Sequence, residues 1–137
     1  MGRVPTDLTF PEPLVAFWRE RHLCTVTTLR GDGTPHVVPM GIVLDSEAGL
    51  AWGITSGTSQ KAQNVRRTGS VAVCQVDGRW WSTLEGHGEV LEDEDSVAEA
   101  VRRYTERYRP PRVNPLRVAL RIQLTRLLGN VGEDPIR

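Results

Sequence analysis

The segment TSGTSQKAQNVRR, residues 55–67, holds the only lysine of a 137-residue chain that otherwise takes its cations as arginine. Lys61 stands just inside a helix start, where Ser59 or Thr58 can act as N-cap by accepting from an amide that has no partner in the helix. Such a start directs free N–H groups and the positive end of the helix dipole outward, which favours an anion. Thr55, Ser56, Ser59, Gln60, Lys61 and Asn64 together supply the hydroxyl, amide and ammonium donors that could wrap a phosphate. The same residues also describe an ordinary capped surface helix with a solvated lysine, and the spacing of a nucleotide P-loop is missing.

A second concentration of charge lies in RYRPPRVNP, which sets Arg107, Arg109 and Arg112 on a proline-stiffened loop. Planar guanidinium forks bind carboxylates bidentately, so this loop is either a carboxylate dock or plain solvated surface. His22, His36 and His87 show no metal-ligand spacing with each other or with the cysteines, and no metal is expected. His22 follows a helix and is expected to cap its end. His87 lies between glycines on a strand, where close approach of backbone explains the glycines best. Cys24 and Cys74 sit inside the apolar runs LCTV and AVCQV and are expected as buried core thiols. Trp18 and Trp52 are expected in the core. In RWW, Trp80 and Trp81 are adjacent on a strand and must point in opposite directions.

These residues need a scaffold, and the apolar periodicity describes one. Leu14, Phe17 and Trp18 form one face of a helix at about 11–21. From 23 the period becomes strand-like: LCTVTTLR and TPHVVPMGIVLD flank the turn GDG, and LAWGIT follows DSEAG. After the helix carrying Lys61, SVAVCQV and RWWSTLEGHGEVL flank a second glycine turn; an amphipathic helix over 94–108 and a last strand, LRVALRIQLTRLLG, complete the chain. The expected fold is mainly β: one domain over 1–137, with a six-stranded antiparallel barrel over about 23–129 closing on itself, because an open sheet would leave unpaired edges.

Zero net charge gives no electrostatic case for nucleic acid or membrane partners. No apolar run is long enough to span a bilayer, the Met-Gly start with Thr6 matches a lipidation pattern weakly, and a cytoplasmic location is expected. A chain this short encloses a cofactor most readily with help from a second copy.

The runs LCTVTTLRGDGTPHVVPMGIVLD, SQKAQNVRR and VAVCQVDGRWWSTLEGHGEV resemble the split β-barrel flavin and deazaflavin oxidoreductases, the superfamily that includes pyridoxamine 5′-phosphate oxidase. Within it, ERHL, TTLR, PHVV, SQKA, QVDG, LEG, RYR and NP follow the order and spacing of the mycobacterial deazaflavin-dependent biliverdin reductases, over roughly residues 14 to 129. The resemblance implies a cofactor phosphate held by Ser59, Gln60, Lys61 and Asn64. Flavin-binding relatives pair an arginine with that lysine; polar residues replace it here, which favours coenzyme F420 over the alternative, FMN.

Arg30, Arg66 and Arg67 are loose candidates for the acidic tail of F420. The ring is expected against the first two strands, lined by Thr27, Thr28, His36, Val38 and Met40, with the inward parity left open. The resemblance further implies a homodimer with the cofactor site at the subunit interface, where Trp80 and Trp81 cover the partner's cofactor. It also implies hydride transfer to a small conjugated substrate (a bilin, quinone or enone), with Arg107, Arg109 and Arg112 as docks for its carboxylates. No catalytic side chain is assigned. The alternatives are an FMN-dependent pyridoxamine 5′-phosphate oxidase-like enzyme, disfavoured because the ending LLGNVGEDPIR lacks that enzyme's arginine motif, and a non-catalytic flavin or heme binder.

Overall fold

The computed structural model describes residues 8–132; the Met-Gly start with Thr6 lies outside the described residues, as does the end of LLGNVGEDPIR. In chain order the elements are α1 (Glu12–Arg19), β1 (Cys24–Leu29), β2 (Pro35–Met40), β3 (Val43–Asp45), β4 (Leu50–Ser56), α2 (Gln60–Thr68), β5 (Ser70–Asp77), β6 (Trp80–Leu91), α3 (Glu94–Arg107) and β7 (Arg117–Gly129). All strand pairs are antiparallel. Both predicted glycine turns form, with Gly33 and Gly78 at φ +86° and +61°, a region closed to most other residues.

Seven strands form where six were expected, in the order β2-β1-β5-β6-β7-β4-β3. The extra strand arises because PHVVPMGIVLD does not run straight. Gly41 breaks it, and a Cβ there would lie 2.7 Å from Tyr108 Cε2 and 3.0 Å from Tyr104 Cε2. The two halves, β2 and β3, are the two outer strands of the sheet, yet only Gly41 and Ile42 separate them in sequence. Three peptide links span at most about 11 Å, so the sheet must curl until its edges nearly meet. The barrel is therefore joined covalently at this seam while its hydrogen-bond ladder stays open, which corrects the expectation of full closure.

Inside the curl, Val26, Val73, Leu84, Leu120 and Ile122 are fully buried, and α1 adds Leu14, Phe17 and Trp18 to the same cluster. Burying each such side chain is worth roughly 1.5–3 kcal/mol. Trp18 Nε1 also donates to Ser82 Oγ at 2.9 Å, so its one polar atom is satisfied. Trp52 packs with Ala100 of α3 and Ala119 of β7 in a second, smaller cluster on the other face of β4. Close approach does explain the glycines around His87. At the bulge between β6 and β7 a Cβ on Gly86 would fall 2.0 Å from Gln123 O, and one on Gly88 would fall 2.8 Å from Val71 Cγ2.

Two expectations need correcting. Cys24 is buried, but Cys74 pairs with Thr25 on the outward parity of the sheet and is only half-buried. His22 does not cap α1, which ends at Arg19; its Nε2 lies 3.3 Å from Glu20 Oε2 and 3.8 Å from Asp77 Oδ2. Among the described residues no helix is long and apolar enough to cross a membrane.

Candidate cofactor site

Ser59 is the N-cap of α2, extended at φ −68° and ψ 156°, and its Oγ accepts from the Ala62 amide at 3.3 Å. Thr55 Oγ1 donates to the same Ser59 oxygen at 3.2 Å, and Ser56 Oγ accepts from Asn114 Nδ2 at 2.8 Å. With Ser59 committed to Ala62, the Gln60 and Lys61 amides take no acceptor among the described residues. Lys61 is partly buried, and its ammonium makes no hydrogen bond or ion pair among the described residues. Burial pushes its ammonium below the usual lysine range, with no carboxylate to counter the effect. A desolvated, unpaired cation at a helix start is stabilised by a bound anion.

Asn64, one turn further on, is completely buried. Its Nδ2 donates to Thr28 Oγ1 at 2.9 Å, while its Oδ1 accepts from Gln60 Nε2 at 2.7 Å and Arg67 Nη2 at 2.8 Å. Three of its four hydrogen-bonding positions are thus filled from within the chain. Gly69 ends the helix at φ +77°, returning its N–H to Val65 O.

Register resolves the parity that alternation left open. Thr28 pairs with His36, Val26 with Val38 and Cys24 with Met40. Val26, Thr28 and Cys24 are buried, so His36, Val38 and Met40 share the inward face with Thr28, and Thr27 points the other way with Val37. His36 Nδ1 is buried without a partner, facing the side on which α2 packs. An unpartnered ammonium and an unpartnered imidazole nitrogen thus belong to the same α2–β1–β2 unit. This donor set fits a phosphate-bearing ring cofactor.

Residues 10–130 match the family described as pyridoxamine 5′-phosphate oxidase. The chain belongs to this family. It is 45% identical over 130 residues to the F420H(2)-dependent biliverdin reductase of Mycobacterium tuberculosis, spanning 95% of each chain. Among solved structures, a conserved hypothetical protein of M. tuberculosis shares 26% identity at a TM-score of 0.75, covering 91% of this chain and 87% of that one. An F420 reductase shares the fold at a TM-score of 0.71, with 22% identity over 85% of this chain and 97% of the other.

This oxidase-family chain does not gather every residue singled out in its sequence. Trp80 and Trp81 lie at the hairpin end of β5 and β6, where Val76 pairs with Trp81, whereas α2 joins β5 at its opposite end. Along β5 this separation is six to seven residues, or roughly 20–24 Å. Arg79 stacks over Trp80 at 4.4 Å. Arg107 is turned inward, donating to the carbonyls of Ile42 and Glu20 and to Gln75 Oε1, and so stands apart from Arg109 and Arg112. Arg30, Arg66 and Arg67 are engaged with the backbone carbonyls of Pro35, Gly57 and Leu29.

Sequence reading missed Arg117 and Asn114, which join Arg109 and Arg112 around one cleft. The signal was the strand opening with Leu-Arg directly after Asn-Pro, which places the first charged side chain of β7 beside the arginine loop. Also missed was the grouping of Glu20, His22 and Asp77, whose potential ligand atoms lie within 4.8 Å of one another. Comparing histidines only with each other and with cysteines overlooked the carboxylates.

Proposed function

We propose that this chain is an F420-dependent reductase that passes a hydride to a conjugated substrate, with biliverdin as the substrate reduced to bilirubin. The observation that carries the reading is Lys61: the only lysine, partly buried, unpaired among the described residues, and set against free amides at the start of α2. The relative named for F420H(2) and biliverdin, 45% identical over 95% of this chain, supports both the cofactor and the substrate.

In this reading Lys61, the Gln60 and Lys61 amides and the Ser59 cap region hold the cofactor phosphate. Thr55 and Ser56 form the adjoining wall. Asn64 fixes α2 against Thr28, so that the phosphate anchor and the ring wall keep a constant separation. Val38 and Met40 offer apolar surface to the ring, and His36 Nδ1 hydrogen-bonds a ring carbonyl. The deazaflavin, once bound, supplies a two-electron hydride donor. The chain's part is orientation and exclusion of water.

A homodimer completes the site. The outward parity of β1, β2 and β5 carries Thr25, Thr27, Val37, Pro39, Ala72, Cys74 and Val76, without a charge or a covering helix, and Val37 and Val76 are 55% and 59% exposed. An uncharged sheet face of this kind is covered well by its own copy across a twofold axis. Trp81 shares that parity through its pairing with Val76, so pairing of faces would bury the tryptophan corner in the interface.

FMN is the competing cofactor, supported by the family to which the chain belongs. Against it, the first turn of α2 offers one cation, with neutral Gln60 beside it. The test follows absorbance of reduced F420 with biliverdin, quinones and enones in turn. Turnover with biliverdin at the highest kcat/KM is the expected result. Oxidation of none of them, or purification as a yellow FMN protein, overturns the reading.

A further inference from the structure

Asp77 ends β5, and Glu20 and His22 stand in the connector between α1 and β1, far earlier in the chain, yet the three side chains converge. His22 Nε2 lies 3.3 Å from Glu20 Oε2 and 3.8 Å from Asp77 Oδ2, and the three candidate ligand atoms all fall within 4.8 Å of one another. Asp45, Glu85, Glu89, Glu92 and Glu99 each have an arginine within 4.0 Å, whereas Glu20 and Asp77 have only His22 among the described residues. Two carboxylates thus face one imidazole, which carries no charge unless protonated. Like charges brought together in this way favour a cation between them.

The fold, rather than the cluster itself, holds these residues in place. Gln75 Nε2 donates to Phe17 O at 2.8 Å, Arg107 Nη2 to Glu20 O at 2.6 Å and Tyr108 Oη to His22 O at 2.6 Å, so the connector is fastened to β5 and α3 through its main chain. The imidazole also stacks on the Phe17 ring, with centroids 6.4 Å apart. One imidazole and two carboxylates are a donor set for a divalent transition metal, while magnesium and calcium take oxygen ligands. Around tetrahedral zinc, with bonds of roughly 2.0–2.2 Å, neighbouring ligand atoms stand about 3.4 Å apart. The His22–Glu20 pair already has that spacing. Glu20 and Asp77 are 56% and 52% exposed in their side chains, which leaves them free to turn through the remaining distance and leaves a fourth position for water.

We propose that Glu20, His22 and Asp77 bind a divalent transition metal of the zinc class, contrary to the expectation from histidine and cysteine spacing. The metal acts as a clasp between the α1–β1 connector and the hairpin of β5 and β6, at the end that carries Trp80 and Trp81. None of the three ligands has a part in the proposed cofactor site, so the clasp stands or falls independently of that reading.

The test uses the full chain, stripped with a chelator and dialysed, and zinc ion as the probe. Calorimetric titration should show one zinc bound per chain, and excess zinc should raise the unfolding midpoint by roughly 5–10 °C at a hundredfold of Kd. His22→Gln should weaken binding about a hundredfold, at least the cost of losing an outer-shell partner, and Glu20→Gln and Asp77→Asn about tenfold each. These substitutions leave the main-chain fastenings untouched, and circular dichroism checks that each variant folds. His87→Gln, which alters a histidine outside the cluster, should bind zinc like wild type. Cobalt(II) in place of zinc should broaden amide NMR signals around residues 20–22 and 77 first, a readout that needs no variant. Absence of zinc binding, binding unchanged in His22→Gln and Asp77→Asn, or broadening centred elsewhere overturns the proposal.

Discussion

Asn64 Nδ2 donates to Thr28 Oγ1 at 2.9 Å, and both residues are almost wholly buried. This contact is where the helix carrying Lys61 is fastened to the strand that walls the proposed ring site. Thr28→Val keeps the shape but leaves a buried amide donor unpaired, which costs about 1–3 kcal/mol. Asn64→Ala also strands Gln60 and Arg67. Urea unfolding of both single variants and the double should reveal a coupling energy of about 0.5–3 kcal/mol. Strict additivity would mean that the contact does not fasten the helix.

Lys61 should make cofactor affinity sensitive to alkaline pH. Burial holds its ammonium below the usual lysine range, and only the protonated form attracts a phosphate. Affinity is therefore expected to fall as pH rises through that lowered value, earlier than for an exposed lysine. The ligand-free protein should behave in the opposite sense. Between the lowered folded value and the ordinary unfolded one, the unfolded chain holds more protons, so stability rises with pH across that window. Lys61→Met should remove both trends and weaken F420 binding by about 1.5–3 kcal/mol, as read by fluorescence titration and by thermal unfolding across pH.

Local chemistry made part of this architecture legible in the sequence. Gly33 and Gly78 turn their hairpins because positive φ is open to glycine, and Ser59 caps α2 because its hydroxyl reaches the amide of Ala62. What stayed hidden depends on residues far apart in the chain. The inward face of β2 is set by pairing with β1, and nothing within PHVV distinguishes its two parities. The seam at Gly41 is imposed by Tyr104 and Tyr108, more than sixty residues away. Arg107 reads as one of a group with Arg109 and Arg112, yet its position on the last turn of α3 aims it at interior carbonyls while the other two follow the loop outward.

Arg107 should accordingly matter to stability first. Its guanidinium donates to Glu20 O, to Gln75 Oε1 and to the carbonyl of Ile42 at the seam, and it stacks 5.5 Å from the Trp18 ring. Arg107→Ala leaves those carbonyls short of a donor and opens space beside the aromatic ring, for an expected loss of about 2–4 kcal/mol. Arg107→Lys restores charge but not the fork, and should recover less than half. Chemical denaturation measures both. A variant as stable as wild type would show that the seam is held without this residue.

The uncharged outer face gives the last expectation. Val37 and Val76 stand more than half exposed on it, on neighbours of the same strand, β1. If two copies meet there, Val37→Lys with Val76→Lys places ammonium groups against their own symmetry mates, and like charges brought together in an interface repel strongly enough to exclude pairing. Sedimentation should then change from dimer to monomer while circular dichroism remains close to wild type, since both side chains already face solvent within one protomer. F420 affinity should fall in parallel if the second copy completes the cofactor site as proposed. A monomeric variant that still binds F420 as tightly as wild type would place the whole cofactor site within one chain.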